Sequence, residues 1–303
     1  MIDNKIVSSS TEIKNHIAEA RELCSASLVT EWRKLKPYRV VLTTVILWVQ
    51  LLSAWGIALI GSPVCWIPAF VVICACISAM QLWVHESAHF NLIRNRRLND
   101  LFATIFFASP IGMSVNKYRN YHFSHHAHLS TPMDMDRFAF NVNVNGCKNL
   151  FIFLLRGLFC INGAGIVASK YLWGHKLNGK KSDYHTTQRD RSLFITIFCW
   201  NIPLLVLCTV VGRWYLYFFM WLYPIFGMVV SFNSIRSVAE HHPFDFTGPV
   251  SGEISINPII RTTLPGLLEK WLMYQCNFNY HFEHHLYPSM PGSSLPPHES
   301  PHF

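Results

Sequence analysis

The chain has 303 residues, of which 51% are hydrophobic and only 14% charged, against roughly a quarter charged in soluble globular proteins, and its mean hydropathy is positive. That balance excludes an ordinary soluble domain and points to an integral membrane protein. The net charge of +8 does not signal a nucleic-acid partner, because Lys and Arg stand between apolar blocks and form no basic stripe interleaved with aromatics; a negatively charged membrane face accounts for it. The nine cysteines include no CxxC pair, and Cys74 and Cys76 lie inside an apolar run, so they read as reduced and structural.

In chain order, residues 1–39 are polar and of mixed charge, a cytosolic segment without the features of a cleavable signal peptide. Residues 40–60 form the first apolar run of spanning length, Gly61, Ser62 and Pro63 make a turn, and residues 64–84 return. Segment 101–115 is too short to cross and contains Pro110 and Gly112, which suits an interfacial or re-entrant helix. Segment 149–169 approaches spanning length but is interrupted by Arg156, Gly157, Asn162, Gly163 and Gly165. A second hairpin is expected at 193–211 and 215–231, joined by Gly212, Arg213 and Trp214. Basic residues cluster before the first span and between the hairpins, so the positive-inside rule puts both termini and the inter-hairpin segments in the cytoplasm. The expected fold is an all-α integral membrane protein: four transmembrane helices in two hairpins, interfacial helices and a cytosolic histidine-rich cap. One membrane domain covers residues 40–291, and a Pro-rich tail without helical periodicity occupies 292–303.

Nine of the sixteen histidines form a pattern. His85 and His89 in HESAH are four apart, which puts both rings on one helical face, as two ligands of one metal require. His122, His125 and His126 in HFSHH, and His281, His284 and His285 in HFEHH, repeat a spacing of three and four. His241, in AEHHP after the fourth apolar run, is the ninth, with His242 and His128 as further candidates. The topology drawn from charge and hydropathy, without using histidine, places all nine on the cytoplasmic side at or near span ends. Structural zinc closes with four ligands, often including Cys, so nine imidazoles suit two metals of higher coordination number. Imidazole serves iron, copper, zinc and nickel alike, and ligand type does not choose among them. Glu86, Asp134, Asp136, Glu240 and Glu283 lie close enough in sequence to accept the other ring N–H of a ligand and so orient it. Arg119, Lys117 and Arg236 stand near the clusters and could meet an anionic head group. His16, His175, His185, His298 and His302 read as ordinary histidines.

HESAH, HFSHH and HFEHH resemble the three histidine boxes of the membrane fatty acid desaturase family, whose relatives include hydroxylases and ketolases; NRRLND after the first box and HHLYP at the third add to the likeness. The resemblance runs from about residue 40 to 291. It implies a centre of two iron ions held by the nine histidines, O2 as co-substrate, and insertion of a double bond into an acyl lipid, an acyl thioester or a free fatty acid. A hydroxylase or ketolase on the same frame is the alternative. A His-rich metal transporter would need polar or acidic residues within the spans, which carry almost none. No HPGG haem-binding segment and no GxGxxG is present, so the electrons are expected from an external donor, a ferredoxin or small cytochrome with its reductase. The expected setting is a bacterial inner membrane, in preference to the endoplasmic reticulum, with the active site on the cytoplasmic side. In stearoyl-type members an Asn one helical turn before the isolated histidine helps complete the ligand shell through water; here that position is Ser237, and Asn233 is a further turn away.

Overall fold

The computed structural model describes residues 17–18, 21–22, 25–129, 131, 133–134, 136, 144, 146–162, 195–241 and 260–295, and among these every regular element is helical. His16, His175, His185, His242, His298, His302 and the tail from 296 onward lie outside the described residues. After the short α1 (Ala26–Trp32), the first apolar run becomes α2 (Pro37–Ile60). Pro37 stands in its first turn, where a missing N–H costs nothing. Its 24 residues at 1.5 Å each make a rod of about 36 Å, longer than the ~30 Å hydrocarbon layer.

One stripe of α2, made by Val40, Thr44, Leu47, Leu51, Ala54 and Ala58, is buried. The opposite face leaves Leu42, Val45, Val49 and Leu52 exposed. A helix apolar on both faces with only one covered has lipid for its second partner. The chain then turns at Gly61, where an added Cβ would meet the Ile57 carbonyl oxygen at 2.4 Å, so no side chain fits. It returns through a 3₁₀ turn into α3 (Trp66–Ala88). The two helices pack closely enough for the Cys76 thiol to donate to the Leu47 carbonyl at 3.7 Å.

α3 is the central element. It packs against α2, α4 (Arg96–Ala103), α5 (Val115–His128), the long helix α8 (Tyr215–His241) and α9 (Leu267–Met273). Asn95 caps α4 by accepting from the N–H groups of Arg97 and Leu98. α4 then continues into a π-turn at Thr104–Ala108, and Gly112 at φ +74 reverses the chain. The apolar segment at 101–115 therefore folds back along α3 and forms no crossing rod. α6 (Gly146–Leu158) crosses α8 so tightly that a Cβ at Gly157 would meet the Ser231 hydroxyl at 2.1 Å.

Three helices among the described residues are long and apolar enough to cross a membrane: α2, the 26 residues Pro63–Ala88 that contain α3, and the 27 residues of α8. The segment expected as the third span, 193–211, is described from 195. It forms a π-turn at Thr196–Asn201 followed by α7 (Ile202–Val210), and its apolar helical part, Phe198–Val210, is shorter than a full crossing. α8 is α-helical at Tyr215–Tyr217 and Val229–His241, with π-turns at Phe218–Leu222 and Pro224–Met228; Pro224 cannot donate to an α-helical ladder, and the widened turns flank it. It extends ten residues beyond the 231 expected from hydropathy, and α3 runs four beyond 84. Both extensions carry histidines.

The hairpin tips are tied together. Arg213, in the turn opened by Gly212 at φ +76, donates from Nη1 to the carbonyls of Ala58 (3.0 Å) and Gly61 (2.8 Å) and lies against the Trp66 ring. These carbonyls close the C-terminus of α2, which has no intrahelical donors left. Arg213→Ala should therefore lower the stability of the detergent-solubilised protein by about 1.5–3 kcal/mol, the usual range for hydrogen bonds from a charged donor, with metal content unchanged. Thermal unfolding followed by tryptophan fluorescence reads the difference, and an unchanged melting temperature would remove the tie from the account of the fold.

Candidate metal centre

The last turn of α3 carries His85, and His89 is its C-cap residue. α5 supplies His122, His125 and His126, the final turn of α8 supplies His241, and α10 (His281–Leu286) supplies His281, His284 and His285. These four helix segments converge so that the nine imidazoles sort into two groups. The first holds His85, His89, His122, His126 and His284, and the second His125, His241, His281 and His285; within each group the ligand atoms all lie within 4.8 Å of one another. The second group is wholly buried, while His89 and His126 of the first are partly exposed. The boxes are therefore shared: α5 and α10 each give histidines to both groups.

The contacts between the rings show what such a cluster lacks. His126 Nε2 lies 2.9 Å from His122 Nε2 and 3.0 Å from His284 Nε2. His281 Nε2 lies 2.7 Å from His241 Nε2 and 3.1 Å from His285 Nε2. A neutral imidazole has one N–H and one lone pair, so a nitrogen facing two others cannot satisfy both. Both ring nitrogens of His85, with His89 Nε2, His122 Nδ1 and His281 Nδ1, are buried without a hydrogen-bond partner. Orphaned buried lone pairs are costly, and a cation that accepts several at once removes the cost. The spacing also suits one: nitrogens at about 2.1 Å from an ion and at right angles about it stand about 3 Å apart. The residues present fit metal ions at both groups.

Electrostatics points the same way. Burial, followed by repulsion among the imidazoles themselves, holds His122, His126, His281, His284 and His285 well below the ordinary imidazole value. Burial and then the Arg119 guanidinium lower His89 to about 3. Burial acts on His125 too, but the hydrogen bond and charge of Asp134 outweigh it and raise that ring above the ordinary value. At neutral pH the lowered rings are uncharged, the state in which an imidazole donates its lone pair to a metal.

The five acidic candidates separate. Asp134 Oδ1 lies 3.0 Å from His125 Nδ1, both side chains buried, and it also accepts from the Asp136 backbone N–H at 2.8 Å. It accepts one ring N–H and so directs the opposite nitrogen of His125 into the second group. Glu86 stands 3.5 Å from His85 Nδ1 without the alignment of a hydrogen bond; its Oε2 accepts instead from the Gly292 N–H at 2.9 Å and from Asn91. Glu240 is 3.8 Å from His281 Nδ1 and 3.6 Å from Arg236 Nε. Glu283 and Asp136 have other partners. Glu283 accepts from the Thr262 hydroxyl at 2.5 Å, because a position two after His281 on a helix lies about 200° around the axis from it. Asp136 pairs with Tyr121.

Among the other candidates, His128 ends α5 outside both groups. Arg119 and Arg236 have partners within the chain. Arg119 is engaged by Asp100 and the end of α3, and Arg236 donates to the Met273 carbonyl and covers the Phe278 ring. Lys117 is exposed. The Asn233 amide donates to the Gln81 side chain on α3. Residues that the motif spacing did not single out complete the surroundings: Phe278, with its ring 4.6 Å from that of His85; Tyr118, stacked on His122 at 5.5 Å; and Asn91, which donates to the carbonyls of Pro288 and Met290. Phe278 and Asn91 make these contacts across elements, with no local signal beyond their aromatic or polar character, whereas Tyr118 stands one helical turn before His122 on α5. Gly292 and Ser294 also belong to this assembly, for Gly292 donates to Glu86 and Ser294 to the Lys34 carbonyl at 2.6 Å; the first part of the Pro-rich stretch is packed through residue 295.

The metal-free protein should lose stability as the pH falls. His89 binds its proton near pH 6.5 when unfolded but only at about 3 when folded. Between those values the unfolded state therefore binds more protons and gains, and the other lowered rings add in the same direction. His125 runs oppositely, its contribution being lost as pH rises through its raised value. The melting temperature of chelator-stripped protein should drop between pH 7 and pH 4; a flat profile would mean that these rings are not buried neutral.

The sequence profile described as "Fatty acid desaturase" matches residues 61–301. Dihydrorhizobitoxine desaturase of Bradyrhizobium elkanii is 25% identical over 217 residues, covering 68% of this chain and 59% of that protein. The chain thus spans about three fifths of the length of that curated relative. No solved structure matches it.

Proposed function

The chain belongs to the fatty acid desaturase family, and on that premise we propose that it is an O2-dependent di-iron desaturase that inserts a carbon–carbon double bond into an acyl lipid, an acyl thioester or a free fatty acid. The observation that carries this reading is the pair of histidine groups of five and four, the second wholly buried, with the ligand atoms of each within 4.8 Å of one another. The relative from Bradyrhizobium elkanii, a desaturase by name, supports the reaction type. Two iron ions, when bound, would supply the oxygen-dependent oxidation that no acid or base can perform on an unactivated methylene.

The chain's own residues prepare the place for it. His85, His89, His122, His126 and His284 would hold one ion, and His125, His241, His281 and His285 the other. Asp134 keeps His125 in one tautomer. Burial by Phe278, Tyr118 and the packed stretch up to Leu295 keeps bulk water from the ring nitrogens. The lipid-facing surfaces of α2, α3 and α8 suit a substrate that arrives from the bilayer. In this proposal 193–211 completes a fourth crossing and the histidines face the cytoplasm. The short, nearly uncharged tips at Gly61–Pro63 and Gly212–Trp214, against the basic flanks of the other ends, support that sidedness. Electrons would come from a ferredoxin or small cytochrome with its reductase.

Expression of the wild type and His284→Ala in a host, with mass spectrometry of acyl lipids and free acids, tests the reading. A product two hydrogens lighter in the wild type alone is the expected result. A product one oxygen heavier would make the chain a hydroxylase or ketolase. Equal products from both proteins would remove His284 from the reaction.

A further inference from the structure

The stretch NRRLND, between the first two histidine boxes, holds no metal-ligating histidine, yet its last two residues are fastened to the end of α3. Asn99 is fully buried; it donates to the Ser87 carbonyl at 2.9 Å and accepts from the Leu92 N–H at 3.2 Å. Asp100 receives both arms of Arg119, Nη1 to Oδ2 at 3.0 Å and Nη2 to Oδ1 at 2.5 Å. The same guanidinium donates from Nη2 to the Ser87 carbonyl at 3.0 Å and from Nε to the Ala88 carbonyl at 2.9 Å. Its carbon lies 4.0 Å from the centre of the Phe90 ring, a residue held at φ +60, and Arg96 sits on the same ring at 4.8 Å.

Ser87 and Ala88 lie between His85 and His89, and Arg119 is one helical turn before His122. One side chain thus satisfies the terminal carbonyls of the helix that carries two ligands while standing on the helix that carries two more. We propose that Arg119, oriented by Asp100, is a positioning residue that sets the register of α5 against the end of α3 and thereby assembles the five-histidine group selectively. The selectivity follows from where the ligands come from. Four of the five in that group sit on α3 and α5, joined by this clamp, whereas the four-histidine group takes none from α3 and its one α5 ligand, His125, has its own hold in Asp134. A planar fork is needed, because the ammonium of a lysine cannot reach two carbonyls and both oxygens of a carboxylate at once.

The inference rests on the reading of the two histidine groups as metal sites, and its test is arranged to separate the two. Purified, chelator-stripped protein is titrated anaerobically with Fe(II), and bound metal is measured after ultrafiltration. The wild type should take two equivalents; fewer would overturn the two-site reading and this proposal with it. His285→Ala should leave the site of the five-histidine group, and His89→Ala that of the four-histidine group. Adding Arg119→Lys to the first should weaken the remaining site about 10- to 100-fold, the range for loss of a group that orients ligands, and adding it to the second should change the remaining affinity little. Asp100→Asn should act in the same sense but less, and it carries the test should the lysine variant fail to fold. Equal weakening in both backgrounds would reduce the clamp to general stability, and no weakening in either would dismiss it.

Discussion

Nine imidazoles brought together in a space that water barely enters impose the constraint on which the rest of this structure depends. Desolvation disfavours their protonated forms, and proximity disfavours them further, so rings such as His122, His284 and His285 persist as neutral imidazoles whose lone pairs face their neighbours, while Asp134 raises His125. Such an arrangement is unstable by itself, because several nitrogens lack donors. It becomes favourable once cations occupy the two places where the lone pairs meet. The fold around it can be understood as the means of holding those rings in place at the end of a bundle whose flanks are built for lipid.

α3 performs most of that holding. It belongs to a helix long and apolar enough to cross a membrane and packs against α2, its C-terminal end presents His85 and His89, and between these lie the carbonyls taken by Asn99 and Arg119. At the opposite end, Arg213 closes α2 and joins the two hairpin tips. Two arginines therefore secure the helical frame at its two ends by the same device, a guanidinium placed on the open carbonyls of a helix C-terminus, where a positive charge is also favoured by the helix dipole. Both cations are engaged by backbone carbonyls of other elements, contacts that their sequence position near the histidine boxes or in a hairpin tip does not reveal.

The acidic residues show how unequal apparently similar neighbours become on folding. Asp134 makes a buried hydrogen bond to a ligand ring and raises its basicity, whereas Glu86 is turned toward the Gly292 N–H and Glu283 toward Thr262. Adjacency in sequence to a histidine on a helix points a carboxylate in a different direction from that ring, so Glu86 and Glu283 make their hydrogen bonds to other elements, whereas Asp134, nine residues from His125 and across a turn, bonds its ring. The segment up to Leu295 is recruited likewise: its backbone adds hydrogen bonds to the buried Glu86 and Asn91.

What the sequence by itself determined is what local periodicity can carry. Runs such as 40–60 and 64–84 report lipid-facing helices because hydropathy integrates over the whole run, and the spacings in HESAH, HFSHH and HFEHH report coplanar ligand faces because a helix repeats every 3.6 residues. His241 was legible in the same way, as the polar end of an apolar run. Only the tertiary structure decided how the nine divide into five and four, since that depends on how α5 and α10 cross the ends of α3 and α8, and a single box contributes to both groups. The same holds for the length of α8 and α3 beyond their apolar stretches, which hydropathy ends too early because a backbone ladder continues wherever packing covers it, and for Asn99, Asp100 and Arg119, whose partners lie 7 to 32 residues away. Spacing along a helix is a property of the chain, whereas the meeting of helix ends is a property of the packed whole.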